Sequence, residues 1–202
     1  MIFVGGAPRS GTTLVQNILD SHTSIVGPPE FLHVAEIVRL GDKMKASVER
    51  GWIEAFCSKE RVNRQFQTLV SGFLIPFLED SNADLLSEKT PANVLVLGQL
   101  LELLPGARLI HVVRDPRATV SSLLCVGQRA REQGEKPLPY TAGPRAAAWY
   151  VRRCLAEGLR AERLAPKRVH RVHYERLVTS PREEYAQTGA LRRLRRWLSR
   201  GG

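Results

Sequence analysis

The sequence predicts a single α/β domain over residues 1–202, a parallel β-sheet flanked by helices on both faces. Two observations carry this. Short apolar runs alternate along the chain with segments of helical spacing, as strand–helix–strand crossovers require. The polar segments "GAPRSGTT", "EKTP" and "RDPRATVSS" fall where three of those apolar runs end. Ligands of such sheets lie outside the carboxyl ends of the strands, so these three segments are expected to converge on one site.

The chain opens on "MIFVGG", a buried-strand signal running into a glycine turn. "SGTTLVQNILDSH" follows as a helix, with Leu14, Ile18 and Leu19 on one side and Ser10 to Thr13 at its start. Residues 30–80 read as mostly helical, with the spacing carried by "FLHVAEIVRL" and "FQTLVSGFLIPFLED". "ADLLSEKTP" is a strand running into a loop, and "NVLVLGQLLELLPG" a helix closed by Pro105 and Gly106. "ARLIHVVRDP" is the clearest buried strand. "RATVSSLLCVGQRAREQG" and "GPRAAAWYVRRCLAEGLRAERL" are helices, and "RVHRVHYERLV" a further strand and turn. Residues 187–202, which include "RRLRRWLSR", are expected to form a basic C-terminal helix with a solvated face.

Composition bounds the class. A chain of 202 residues can bury a continuous core without covalent staples, and 43% hydrophobic with 25% charged residues is ordinary for a soluble globular protein. No apolar run reaches the roughly 18 residues of a membrane span. No signal peptide precedes the glycine loop, so a cytoplasmic, bacterial setting is expected, a removed N-terminal anchor being the alternative. Cys57, Cys125 and Cys154 form no CxxC pair and read as core or semi-buried thiols, not as a zinc site or disulfide framework. His22, His33, His111, His170 and His173 are scattered, and no metal is expected. The formal net charge of +10 points to an anionic partner: phosphate, sulfate, acidic peptide, nucleic acid or anionic lipid.

Gly6-Ala7-Pro8-Arg9-Ser10-Gly11-Thr12-Thr13 keeps the G-x-x-x-x-G frame of a phosphate loop. Its small residues let backbone N–H groups face an anion, and the following helix N-terminus adds partial positive charge. Thr12 and Thr13 add hydroxyl donors. Thr12 stands where a nucleoside triphosphatase carries the lysine that reaches the β- and γ-phosphates, and Arg9 offers a cation elsewhere in the loop. No aspartate ending an apolar strand announces a magnesium site. Such a loop suits a phosphate that is neither the middle nor the end of a triphosphate.

"FVGGAPRSGTTLVQNILDSH" resembles the 5′-phosphosulfate loop of sulfotransferases that use 3′-phosphoadenosine 5′-phosphosulfate (PAPS). It is most similar to the tyrosylprotein sulfotransferases and related bacterial enzymes, and the resemblance covers residues 1–185. It implies the sulfotransferase fold, PAPS as donor, adenosine 3′,5′-bisphosphate (PAP) as product, and no metal. Pro8, Arg9, Ser10, Gly11, Thr12 and Thr13 then surround the 5′-phosphate. "LIHVVRDPRATVSSLL" resembles the family's second nucleotide signature, which assigns Arg114 and Ser122 to the 3′-phosphate. An arginine leaving a strand end and a serine on the first turns of the next helix can address one phosphate. The residues themselves also allow a strand-end salt bridge of Arg114 to Asp115, and Arg117 is as readily surface as site. Tyr174 in "HYERLV" resembles a family tyrosine near the nucleotide; its other reading is an aromatic core residue.

Sulfuryl transfer needs an in-line acceptor, positive charge on the transferring group and a base for the acceptor hydroxyl. The resemblance implies Glu30 in "VGPPEFLH" as that base and Lys89 in "SEKTP" as a charge-stabilising cation, with Arg9 as a second. The residues alone leave Glu30 open as an N-terminal cap for "FLHVAEIV", and His33 open as another base. The acceptor is a hydroxyl on protein tyrosine in an acidic peptide, on a sugar or on a small alcohol. Past "YERLVTSPREEY" the family continues into a segment that closes over the nucleotide. Here "AQTGALRRLRRWLSRGG" stands instead, so the lid reads as truncated or replaced, with Arg192, Arg193, Arg195 or Arg196 as a substitute source of charge. Two other classes compete. A P-loop nucleotide or small-molecule kinase is disfavoured by Thr12. A catalytically inactive basic module, binding nucleic acid or acidic protein, is disfavoured by three polar segments that binding alone does not require. No nucleic-acid partner is expected of the enzyme, and its oligomeric state is open.

Overall fold

A computed structural model describes residues 1–180; the basic segment 187–202, with Arg192, Arg193, Arg195 and Arg196, lies outside the described residues. β1 (Ile2–Gly6) leads through the glycine loop into α1 (Thr12–Asp20), and a two-residue strand β2 (Ile25–Val26) follows. Two long helices come next, α2 (Val34–Glu49) and α3 (Lys59–Glu79). β3 (Leu85–Lys89) runs into a 3₁₀ segment, Pro91–Val96, continuous with α4 (Leu97–Leu103). β4 (Arg108–Val113), α5 (Pro116–Glu132), α6 (Pro144–Leu164), β5 (Val169–His173) and α7 (Tyr174–Thr179) complete the described chain.

All five strands are parallel, in the order β2-β3-β1-β4-β5. β1 is central because it is apolar on both faces: Ile2, Phe3 and Val4 have no exposed surface. Strand alternation splits them. Ile2 and Val4 pack with Val15 and Leu19 of α1, Ile110 and Val112 of β4 and Leu177 of α7. Phe3 joins the larger core on the opposite face, built from α2, α3, α4, α5 and α6. The chain places β3 on one side of β1 and then crosses to β4 on the other. A crevice therefore opens where the connections diverge, at the carboxyl end of β1. The register sets Val4 beside Lys89 and Gly6 beside Val112, so three strand ends lie side by side.

Four expectations need correction. The edge strand β2 was not foreseen, because two residues paired to Leu85 and Leu86 carry no readable period. "NVLVLGQLLELLPG" is not one helix: a 3₁₀ turn occupies Pro91–Val96, tightened by the bond from the Asn93 N–H to the Thr90 carbonyl at 3.0 Å. The segment after β5 is the helix α7 and not a turn. Cys125 is exposed, while Cys57 is half-buried and Cys154 buried, its thiol pushed up to about 12 by that burial. Among the described residues no helix is long and apolar enough to cross a membrane.

Candidate functional site

The first loop is shaped by its backbone. The Ser10 N–H closes a turn onto the Ala7 carbonyl at 3.0 Å, and Arg9 takes a left-handed conformation, φ 72°. Gly11 at φ 100° then delivers the chain into α1, and no side chain caps that helix. Its first amides keep their donors free of intrahelical partners, and Thr12 and Thr13 begin the same turn. Ser10 is buried, and its hydroxyl oxygen has no hydrogen-bond partner among the described residues. A Cβ on Gly6 would stand 2.6 Å from the Val112 carbonyl oxygen and 2.7 Å from that same Ser10 oxygen, so only glycine lets the loop sit this close to β4.

The second loop touches the first. Arg114, just past β4, donates to the Arg9 carbonyl oxygen at 2.9 Å, and the Arg9 Nε donates to the Ser122 hydroxyl on α5 at 3.2 Å. Tyr174, the first residue of α7, lies beneath Arg114, with the guanidinium carbon 4.5 Å from its ring centre. The same ring closes over Gly11, where a Cβ would collide with it. Pro8, Arg9, Ser10, Gly11, Thr12, Thr13, Arg114, Ser122 and Tyr174 thus share one end of the sheet, with Arg9 and Tyr174 joining the two loops.

Asp115 pairs with Arg117, not with Arg114, at 2.8 Å. The Arg117 side chain and backbone N–H hold its carboxyl at about 2. Asp115 thereby caps α5 and leaves Arg114 available to the loops; Arg117 lies on the surface, its side chain 90% exposed. The Asp115 N–H is in turn held by the Glu175 carboxylate at 2.8 Å, tying α7 to the start of α5.

At the neighbouring strand end, Glu30 and Lys89 form an ion pair. Glu30 is not the cap of α2: that helix begins at Val34, with His33 in the cap position and no side-chain cap bond. His33 is exposed and engaged with Glu36 at 2.8 Å. Glu88, which the sequence reading passed over, is fully buried directly before Lys89. Its carboxylate accepts from the Phe31 N–H at 3.2 Å, the Thr90 hydroxyl at 2.5 Å and the Asn93 side-chain amide. Burial raises its pKa, and those three hydrogen bonds oppose the rise. The legible signal was an acid two residues after the buried Leu86, on the same side of a core strand.

The arrangement suits a ligand with two separated anionic groups. One would meet the uncapped amides of α1 with the unpartnered Ser10 hydroxyl; the other would meet Arg114 with Ser122. Among the described residues no group of three or more His, Cys, Asp or Glu side chains is placed to hold a metal ion.

Residues 2–193 match the sulfotransferase family. The chain is similar to protein-tyrosine sulfotransferase A of Caenorhabditis elegans, 32% identical over 126 residues that cover 61% of this chain and 32% of that one. It is also similar to protein-tyrosine sulfotransferase 1 of Danio rerio, 29% identical over 194 residues, 93% of this chain and 51% of the other. It therefore spans about a third to a half of the length of these two relatives. Among solved structures, the sulfotransferase domain from the curacin biosynthetic pathway superposes with a TM-score of 0.62 at 22% identity, over 93% of this chain and 71% of that one. At that identity the likeness is one of fold.

Proposed function

The chain belongs to the sulfotransferase family, and we propose that it transfers a sulfuryl group from PAPS to an acceptor hydroxyl by in-line displacement. One observation carries the reading: the joined loops, in which Arg114, Arg9 and Ser122 form a continuous hydrogen-bonded unit at the end of the central strands. The donor supplies the sulfuryl group together with two phosphates. The loop from Pro8 to Thr13 holds the 5′-phosphate through the N–H groups of Arg9, Gly11, Thr12 and Thr13 and the Ser10, Thr12 and Thr13 hydroxyls, Pro8 and the Ser10 N–H shaping the turn. Arg114 and Ser122 hold the 3′-phosphate, and Tyr174 supports the guanidinium from below.

Glu30 removes the proton of the acceptor hydroxyl. It stands at the end of the strand adjacent to β1, fixed there by Lys89. Lys89 and Arg9 supply positive charge to the transferring group and the departing phosphate oxygen. The named relatives are protein-tyrosine sulfotransferases, and a tyrosine in an acidic peptide suits the formal net charge of +10. Sugars and small alcohols are the other acceptor classes.

Calorimetric titration with PAP against ATP and magnesium tests the donor. Tighter binding of PAP supports it, and tighter binding of ATP overturns it in favour of a kinase. Transfer of labelled sulfate from PAPS onto a panel of acidic tyrosine peptides, sugars and alcohols then identifies the acceptor.

A further inference from the structure

We infer that Glu88 is a positioning residue for this reaction: buried beneath the site, it clamps the main chain at Phe31 and so sets where Glu30 stands against Lys89. The inference rests on Glu30 acting as the base, as proposed above. Glu30 and Phe31 are consecutive, and so are Glu88 and Lys89. The strand end thus grips the incoming segment twice, once by the ion pair and once through the Phe31 N–H. The Phe31 ring adds a third hold, packing 5.2 Å from the Phe73 ring of α3.

Glu88 is too deep to touch an acceptor, having no exposed surface. Its three partners come from three segments: the loop before α2, the turn after β3 and the 3₁₀ segment. The Asn93 amide reaches on to the Val4 carbonyl at 3.4 Å, joining the clamp to the central strand. Every partner is a donor, an arrangement that an ionised carboxylate satisfies and a neutral amide does not. A position chosen for stability alone would be apolar, as Leu86 is two residues earlier. A buried carboxylate with a complete set of donors here fixes geometry instead. Small displacements of a reacting group cost rate steeply, which gives such a clamp its value.

The test is steady-state sulfate transfer from PAPS to an acidic tyrosine peptide, or to whichever sugar or alcohol of the acceptor panel the wild type sulfates, with PAP binding by calorimetry, in Glu88→Ala, Thr90→Val and Glu30→Gln. Glu88→Ala is expected to lower kcat about tenfold to a hundredfold while the KM for PAPS and the Kd for PAP stay within about twofold. Thr90→Val, which removes one donor and keeps the side-chain shape, is expected to lower kcat about threefold with the same constancy. Wild-type kcat in Glu88→Ala beside an inactive Glu30→Gln overturns the clamp alone. A parallel loss of kcat and PAP affinity also overturns it, since that marks general damage to the site. Full turnover in Glu30→Gln overturns the base assignment and this inference with it. Should Glu88→Ala not fold, Thr90→Val decides: unchanged kcat there rejects the clamp.

Discussion

Arg114 donates to the main-chain oxygen of Arg9 across 2.9 Å, so the loops that follow two adjacent strands are one polar unit. Arg9 extends the link to Ser122 through its own Nε. An anion bound by Arg114 and Ser122 would thereby be coupled to the backbone of the first loop.

Arg114→Ala is expected to weaken PAP binding more than it slows turnover at saturating donor. A charge-assisted hydrogen bond to phosphate contributes about 1.5–3 kcal/mol, which is roughly a tenfold to hundredfold rise in Kd. Arg114→Lys is expected to recover only part of the loss, because an ammonium has neither the planar fork nor the flat face that lies over Tyr174. Titration calorimetry with PAP reads both. An unchanged Kd in the alanine variant would remove Arg114 from the site.

Glu30→Gln is expected to have the opposite profile. Removing a general base lowers kcat by about a hundredfold to ten-thousandfold, and on the proposed assignment PAP affinity stays close to wild type because the base serves the acceptor and not the nucleotide. Radiolabelled transfer measures the first and calorimetry the second. Equal effects of Glu30→Gln and Arg114→Ala on PAP affinity would refute this division of labour.

Arg9 separates strain from charge. Its φ of 72° is a left-handed conformation that costs a non-glycine residue about 1–2 kcal/mol. Arg9→Gly relieves that cost and Arg9→Ala does not, while both delete the guanidinium. Both variants are therefore expected to lose transfer activity, with the glycine variant melting roughly 2–8 °C above the alanine variant. Thermal unfolding monitored by circular dichroism checks the difference. Equal melting temperatures would show that the backbone at residue 9 carries no recoverable strain.

The parts of the fold that local sequence determines were legible. Ile2 to Val4 are apolar throughout, and Leu109 to Val112 are apolar except for His111, so both read as buried strands. The small residues from Gly6 to Gly11 announced a tight loop between a strand and a helix through their spacing alone. What was hidden depends on distant partners. Asn93 sits in an apolar run that reads as helix, and its bonds to Glu88 and Val4 accompany a 3₁₀ turn instead. Glu88 reads as one more strand-end charge, and the Phe31 N–H that helps to hold it lies 57 residues away. The salt bridge of Arg114 to Asp115, which the residues left open, is absent for a related reason. Asp115 is its nearest acid in sequence, but capping α5 turns that carboxylate toward Arg117.

The acid stability of the molecule is expected to depend on Glu162. His111, buried in β4, places its Nδ1 2.6 Å from the Glu162 Oε1, and Arg171 of β5 pairs with the same carboxylate. Burial alone would raise the Glu162 carboxyl, but hydrogen bonds from His111 and Arg171 outweigh it and hold the group at about 2. Its unfolded value is about 4.3. The folded value lies below the unfolded one, so the stabilisation is complete above the unfolded pKa and is lost as pH falls from about 4.3 toward about 2. Glu162→Gln removes the charge at every pH and leaves His111 and Arg171 with a weaker acceptor. The variant is expected to be about 1–2 kcal/mol less stable at neutral pH, and the gap from wild type should close on acidification to about pH 2. Urea unfolding at neutral pH and at successively lower values measures the gap directly. A gap that stays constant or widens with acid would mean that the carboxylate contributes nothing through its ionised form.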